Sequence, residues 1–217
     1  MTDNVWYVYG AGGLGVETID ILQNAICRGL LESHRLAFLV DAPQRHEVIG
    51  LPVVAVGQHE VGAKVTIAVG EPTSRALLLD KVAALGLTLS SAISPNAFVS
   101  AHAEIGAGTI IAPLCSIQAT ARIGRNVAVN TSTIVGHDVV VEDNCVLSSM
   151  VNLGGGSHVE TLAYIGMGAL IKEKLRIGHT SIIGMGSVVH SDVREEVIAL
   201  GNPARVVRRN VDKKVFS

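Results

Sequence analysis

The sequence predicts a parallel β-helix of hexapeptide coils, preceded by an α/β unit of βαβαβ order. From Val99 to Val189 an aliphatic residue stands at every sixth position, sixteen times without a skip. Ahead of it, a β-branched run ends in Gly10-Ala11-Gly12-Gly13-Leu14-Gly15 and gives way to a helical apolar pattern. Composition agrees: 48% of the residues are hydrophobic but only 3% aromatic, which suits a narrow lumen of stacked Ile and Val.

The 217 residues suffice for one large or two small domains with a sizeable core. Val5 to Tyr9 predicts a first strand. Val16, Ile19, Leu22, Ala25 and Ile26, widened by Ile21, predict the helix after the glycine-rich turn. Residues 36–40 predict a second strand closed by Asp41, residues 65–69 a third closed by Gly70, and residues 73–85 a second helix. Strand, glycine-rich turn, helix, strand and acidic residue is the order of a Rossmann-like nucleotide-binding unit. There the glycines let backbone approach a phosphate, and the helix N-terminus supplies N–H donors. Asp41 lies 26 residues after Gly15, where such folds meet base or ribose. Three strands suit a single nucleotide or nucleotide-sugar better than a dinucleotide.

The repeat runs Val99, Ile105, Ile111, Ile117, Ile123, Val129, Val135, Val141, Leu147, Leu153, Val159, Ile165, Ile171, Ile177, Ile183 and Val189. Four places after most of these stands a small or β-branched residue, such as Thr109, Cys115, Ala121, Thr133 or Cys145. A period of six fits neither a helix nor a meander of hairpins; three short strands make one coil, and coils stack. The aliphatic residue and the small residue two before it face inward, and the next two positions turn the corner. From Ile105 to Arg194 there is room for five coils of 18, and Gly201-Asn202-Pro203-Ala204 opens the tail. Periodicity leaves the hand open; β-crossovers are right-handed by default.

One corner carries chemistry. His137-Asp138 occupies it, and 18 residues on, the same corner carries Gly155-Gly156. A histidine beside a carboxylate suits a base near neutral pH, and a bare backbone N–H above it can meet a developing oxyanion. His102, His158, His179 and His190 lie in or beside the repeats without both an acidic neighbour and glycines one coil above. Their spacing suggests no metal site.

The formal charge of -2 argues against a general nucleic-acid binder, and the basic runs 205–209 and 213–214 read as solvated ends. No apolar stretch approaches the ~20 residues that span a bilayer. Met1-Thr2-Asp3-Asn4 lacks the basic region of a signal peptide, so a cytoplasmic chain without membrane insertion is expected. Cys27, Cys115 and Cys145 are odd in number and lack metal spacing; Cys115 and Cys145 take the small inward position and read as buried reduced thiols.

The repeats behind Gly-Ala-Gly-Gly-x-Gly, the block Asn130-Thr131-Ser132-Thr133-Ile134-Val135-Gly136-His137-Asp138 and the closing Gly-Asn-Pro-Ala resemble the nucleotide-sugar N-acetyltransferases of the bacillosamine and perosamine type. Sialic-acid O-acetyltransferases share the architecture. The resemblance implies a nucleotide-sugar-binding domain in residues 1–90, then a left-handed parallel β-helix, against the default hand, with a C-terminal tail in 91–217. It implies a homotrimer with active sites at subunit interfaces, acetyl-CoA as co-substrate and no metal. Gly10, Gly12, Gly13, Gly15 and Asp41 would line the nucleotide site, with Gly70 at its edge. His137 would take the proton from the amine of a nucleotide-linked (by this reading UDP-linked) 4-amino-4,6-dideoxy-sugar, with Asp138 beside it. Asn130 would belong to the acetyl-CoA and acceptor site, and the Gly155 N–H would meet the thioester carbonyl. Leu14 and Val146 stand where the family has histidines.

An O-acetyltransferase acting on a sialic-acid-like sugar is the alternative. A non-catalytic hexapeptide scaffold is the third reading, and the intact His137-Asp138 corner speaks against it. A nucleotidyltransferase lacks support, since no Lys or Arg lies near the glycine-rich turn in the sequence.

Overall fold

The structure, a computed structural model, describes residues 5–216; the opening Met1-Thr2-Asp3-Asn4 lies outside them. The first part contains β1 (Val5–Tyr9), α1 (Gly13–Cys27), β2 (Arg35–Val40), β3 (Glu47–Val48), β4 (Leu51–Ala55), β5 (Lys64–Ile67), α2 (Pro72–Ala84) and β6 (Thr88–Leu89). Its sheet has the order β3-β4-β2-β1-β5-β6, parallel throughout except where β3 pairs with β4. β1 is buried along its whole length. Trp6 and Val8 join Ile19 and Leu22 of α1 on one face, whereas Val5, Tyr7 and Tyr9 join Val82 of α2 on the other. That is how a central parallel strand packs between two helical layers. The sheet is wider than the three strands expected. Pro52 masks β4 as a strand, and β6 is only two residues long.

From Ala92 to Val189 the chain winds as a β-solenoid of two-residue strands. Each pairs in parallel with the strand 18 residues on, as Ile110 with Ala128 and Ala128 with Val146. Three sheets result, of eight, six and five strands, the first completed by the C-terminal hairpin of Val197–Gly201 and Ala204–Arg209. The lumen follows the period: Ile111, Ile117, Val129, Val135, Leu147 and Leu153 are fully buried, with Thr109, Thr133 and Ser157 among them. Cys115 and Cys145 are free and buried, and burial pushes their thiols up to about 11 and about 12.

The corners hold a feature the period does not convey. At every step from Gly108 to Gly186 the second corner residue lies at φ between +52° and +75°, even at Leu114, Thr120, Asp138 and Met150. Such a residue costs about 1 kcal/mol or more outside glycine, so the stacked ladders on either side must hold it there.

The basic runs 205–209 and 213–214 are exposed, as expected of solvated ends, yet the tail is held by specific contacts. Val215 and Phe216 N–H donate to Glu71 Oε2 at 2.9 and 3.2 Å. Lys213 pairs with Glu196 at 3.1 Å. The Phe216 ring meets Tyr164 edge-on at 5.7 Å. The tail thus returns from the far end of the solenoid to the start of α2.

Candidate active site

His137 and Asp138 turn the corner between strands Ile134–Val135 and Val140–Val141. Gly156 N–H donates to His137 O at 2.9 Å, locking the coil above onto this corner. His137 Nδ1 lies 2.8 Å from Asp138 Oδ2, and Thr120 Oγ1, one coil below, donates to Asp138 Oδ1 at 2.6 Å. Thr120 first, and His137 second, hold the Asp138 carboxyl below its usual range. With Nδ1–H pointed at a carboxylate, the neutral ring presents the Nε2 lone pair. A Cβ on Gly155 would lie 2.6 Å from that nitrogen. The His137 and Asp138 side chains are 67% and 62% exposed, so a reactant can reach them.

A second histidine–carboxylate pair escapes a reading by sequence neighbours. His158 Nε2 lies 2.7 Å from Glu142 Oε1, and Glu142 Oε2 accepts from Thr161 N and Oγ1 at 2.9 and 2.8 Å. One coil up, Glu160 repeats the arrangement with Arg176 Nε and His179 N. A motif that recurs with Arg in place of His is a staple between coils. It also consumes Nε2, the nitrogen His137 leaves open.

Asn130 follows strand Ala128–Val129, one corner before His137. Among the described residues nothing bonds it to His137, and its Oδ1 is buried without a partner. One chain therefore joins His137, Asp138 and Gly155 but leaves Asn130 apart. On the Asn130 face, Val146 pairs with Tyr164 one coil up, and Ser148 Oγ donates to Tyr164 OH at 2.8 Å. These hydroxyls beside Val146 carry no motif that sequence reading could find.

The glycine-rich turn packs at the end of β1. Gly10 has φ +113°, and a Cβ on it would meet Ala68 O at 2.8 Å; one on Gly15 would meet Gly10 O at 2.0 Å. Gly12 and Gly13 face open space at the start of α1. Asp41 Oδ1 accepts from Tyr9 OH at 2.6 Å and pairs with Lys81 Nζ of α2. Lys81 first, then Tyr9, hold its carboxyl down. Beside it a cleft of about 370 Å³ is lined by Ala11, Val40, Ala42, Pro43, Gln44, Arg45, Val48 and Val53. The expectation of no basic residue near this turn is corrected: folding α2 over the sheet brings Lys81 to Asp41, and Arg45 lines the adjoining cleft. Gly70 follows the end of β5, and a Cβ there would lie 3.6 Å from the Phe216 ring of the tail, an ordinary contact.

Among the described residues no helix is long and apolar enough to cross a membrane, and no group of three His, Cys, Asp or Glu could hold a metal. No family model matches the chain. It is 31% identical over 217 residues to the GDP-perosamine N-acetyltransferase of Escherichia coli O157:H7, with 95% of this chain and 98% of that protein covered. A variant perosamine N-acetyltransferase from Caulobacter crescentus, solved with CoA and GDP-perosamine, superposes with TM-score 0.85 at 29% identity, over 94% of this chain and 96% of that one. WeeI from Acinetobacter baumannii AYE gives 0.86 at 30%, over 94% and 99%. The acetyltransferase domain of PglB from Neisseria gonorrhoeae FA1090 gives 0.84 at 28%, over 94% and 100%. With identity and superposition both extending along nearly the whole length, the chain belongs to the perosamine-type sugar N-acetyltransferases.

Proposed function

We propose that the chain moves the acetyl group of acetyl-CoA onto the amine of a nucleotide-linked 4-amino-4,6-dideoxy-sugar, with His137 as general base. The observation that carries this is the exposed imidazole of His137, bonded at Nδ1 by Asp138 so that Nε2 is left open, with Gly155 over it. The amine attacks the thioester carbonyl and a C–N bond forms. His137 Nε2 takes the amine proton as the C–S bond breaks, and that proton passes to the departing CoA thiolate. Among the described residues the Gly155 N–H has no backbone acceptor, which leaves it for the carbonyl oxygen as charge develops. Holding both reactants in register supplies about 7 kcal/mol or more of the barrier reduction.

The acceptor's nucleotide sits at the Gly10–Gly15 turn and the Asp41 cleft, in a unit we read as Rossmann-like. GDP is favoured over the UDP expected from sequence, because the Escherichia coli relative is named for GDP-perosamine and the Caulobacter enzyme was solved with it. The solenoid is read as left-handed, as the family resemblance implies, and the chain as cytoplasmic. Phe98, Ile134 and Leu170 are exposed on the outside of one sheet, on alternate strands with Ser116 and Asn152 between them. A homotrimer would cover this face and bring a neighbour's Asn130, with its unpartnered Oδ1, toward His137. Mass spectrometry of acceptors incubated with acetyl-CoA tests the reading. One acetyl added to GDP-linked amino-sugar is the expected result; acetylation of sialic-acid-like hydroxyls instead would establish the O-acetyltransferase.

A further inference from the structure

Arg75 of α2 is wholly buried, yet among the described residues no carboxylate pairs with it. Carbonyls meet its charge. Nε donates to Asn126 O at 2.8 Å, Nη1 to Ile67 O at 2.9 Å and Val69 O at 3.0 Å, and Nη2 to Asn126 Oδ1 at 2.9 Å. Asn126 Nδ2 donates in turn to Arg75 O at 2.9 Å and to Asn144 Oδ1 at 2.8 Å. Asn126 and Asn144 are second corner residues of successive coils, at φ +54° and +61°.

Burying a guanidinium without a counter-ion is costly, and an apolar side chain would pack such a helix face more cheaply. What an apolar side chain lacks is a rigid fork of donors able to hold two elements at one angle. Ile67 and Val69, whose carbonyls Arg75 grips, flank Ala68. Ala68 N–H donates to Tyr9 O at 2.9 Å, and its carbonyl is the atom against which Gly10 packs. A single side chain thus ties a solenoid corner to the backbone behind the glycine-rich turn.

We infer that Arg75, Asn126 and Asn144 form a positioning relay that sets the angle of the nucleotide-holding sheet on the solenoid, and so the reach of the acceptor amine toward the acetyl donor. The inference rests on the acceptor nucleotide lying at the Gly10–Gly15 turn. It separates two kinetic constants, because the acceptor is held by the first part and the donor by the coils.

The test is steady-state kinetics of Asn126→Gly and Asn144→Gly with acetyl-CoA and GDP-linked 4-amino-sugar, beside Ile183→Val as a lumen control. Glycine accepts the left-handed φ at both positions, so the backbone is not strained. For N126G the expected result is a KM for the nucleotide sugar raised about fivefold or more, with the KM for acetyl-CoA within about twofold of wild type. N144G moves the same constant less, and I183V moves neither. A lowered unfolding midpoint in N126G with both constants unchanged, or both shifted alike, would overturn the relay. If N126G does not fold, unchanged constants in N144G overturn it. Wild type inactive on every nucleotide-linked amine would instead remove the functional reading beneath it.

Discussion

Gly155 sits so close over His137 that a Cβ on it would fall 2.6 Å from Nε2. The residue's φ is not in the left-handed region, so alanine there meets no backbone penalty, only the imidazole. Gly155→Ala should therefore fold normally and displace the ring. A displacement of order 1 Å costs about 10²-fold in rate. Circular dichroism beside kcat/KM checks this, and an unimpaired G155A would remove the steric argument for the site.

Asp138 has φ +59°, which Asn tolerates as well as Asp. Asp138→Asn therefore isolates the charge from the corner's geometry. Without a carboxylate on Nδ1 the tautomer with Nε2 free is no longer enforced, and kcat should fall by about 10²-fold with the thermal midpoint nearly unchanged. Thr120→Val should weaken the same carboxylate from the other side and lower kcat less, since the Nδ1 contact survives.

How much of this is legible in the sequence depends on the range of the signal. The lumen is legible because period six writes each inward residue into the chain, and His137 under Gly155 is legible because 137 and 155 differ by one coil of 18. By the same count Asn130 and His137, seven apart, belong to different corners, and nearness in sequence misleads. The Glu142–His158 staple and the Lys81–Asp41 pair bridge residues 16 and 40 apart without a motif. Arg75 reads as an ordinary polar position of a short helix, and only the packing of that helix on the Asn126 corner buries it.

Ile134 is 37% exposed on the sheet face it shares with Phe98 and Leu170. If a neighbouring copy covers that face, Ile134→Glu buries an unpaired charge at the interface. The variant should run as a monomer in size-exclusion chromatography with light scattering. In the proposed homotrimer, with active sites at subunit interfaces, it should also lose activity.

Cys115 supplies a pH signature. Burial raises its thiol from 9.0 to about 11, so the folded chain keeps a proton that the unfolded chain releases first. Its contribution is therefore full below 9.0 and is lost as pH rises from there through about 11. In urea titrations the advantage of wild type over Cys115→Ala should shrink by about 2 kcal/mol between pH 8 and pH 11. Thiol labelling at pH 8 should modify Cys27, which is exposed, and spare Cys115 and Cys145.

Acetyl transfer at the His137 corner is read as CoA thiol release from acetyl-CoA with GDP-linked 4-amino-sugar, comparing wild type with His137→Ala. Steady turnover is expected of wild type and a fall of at least about 10²-fold of the variant, with its fold intact. Turnover that persists in H137A would contradict His137 as the base, because the proton would then leave the amine by a route that does not use Nε2.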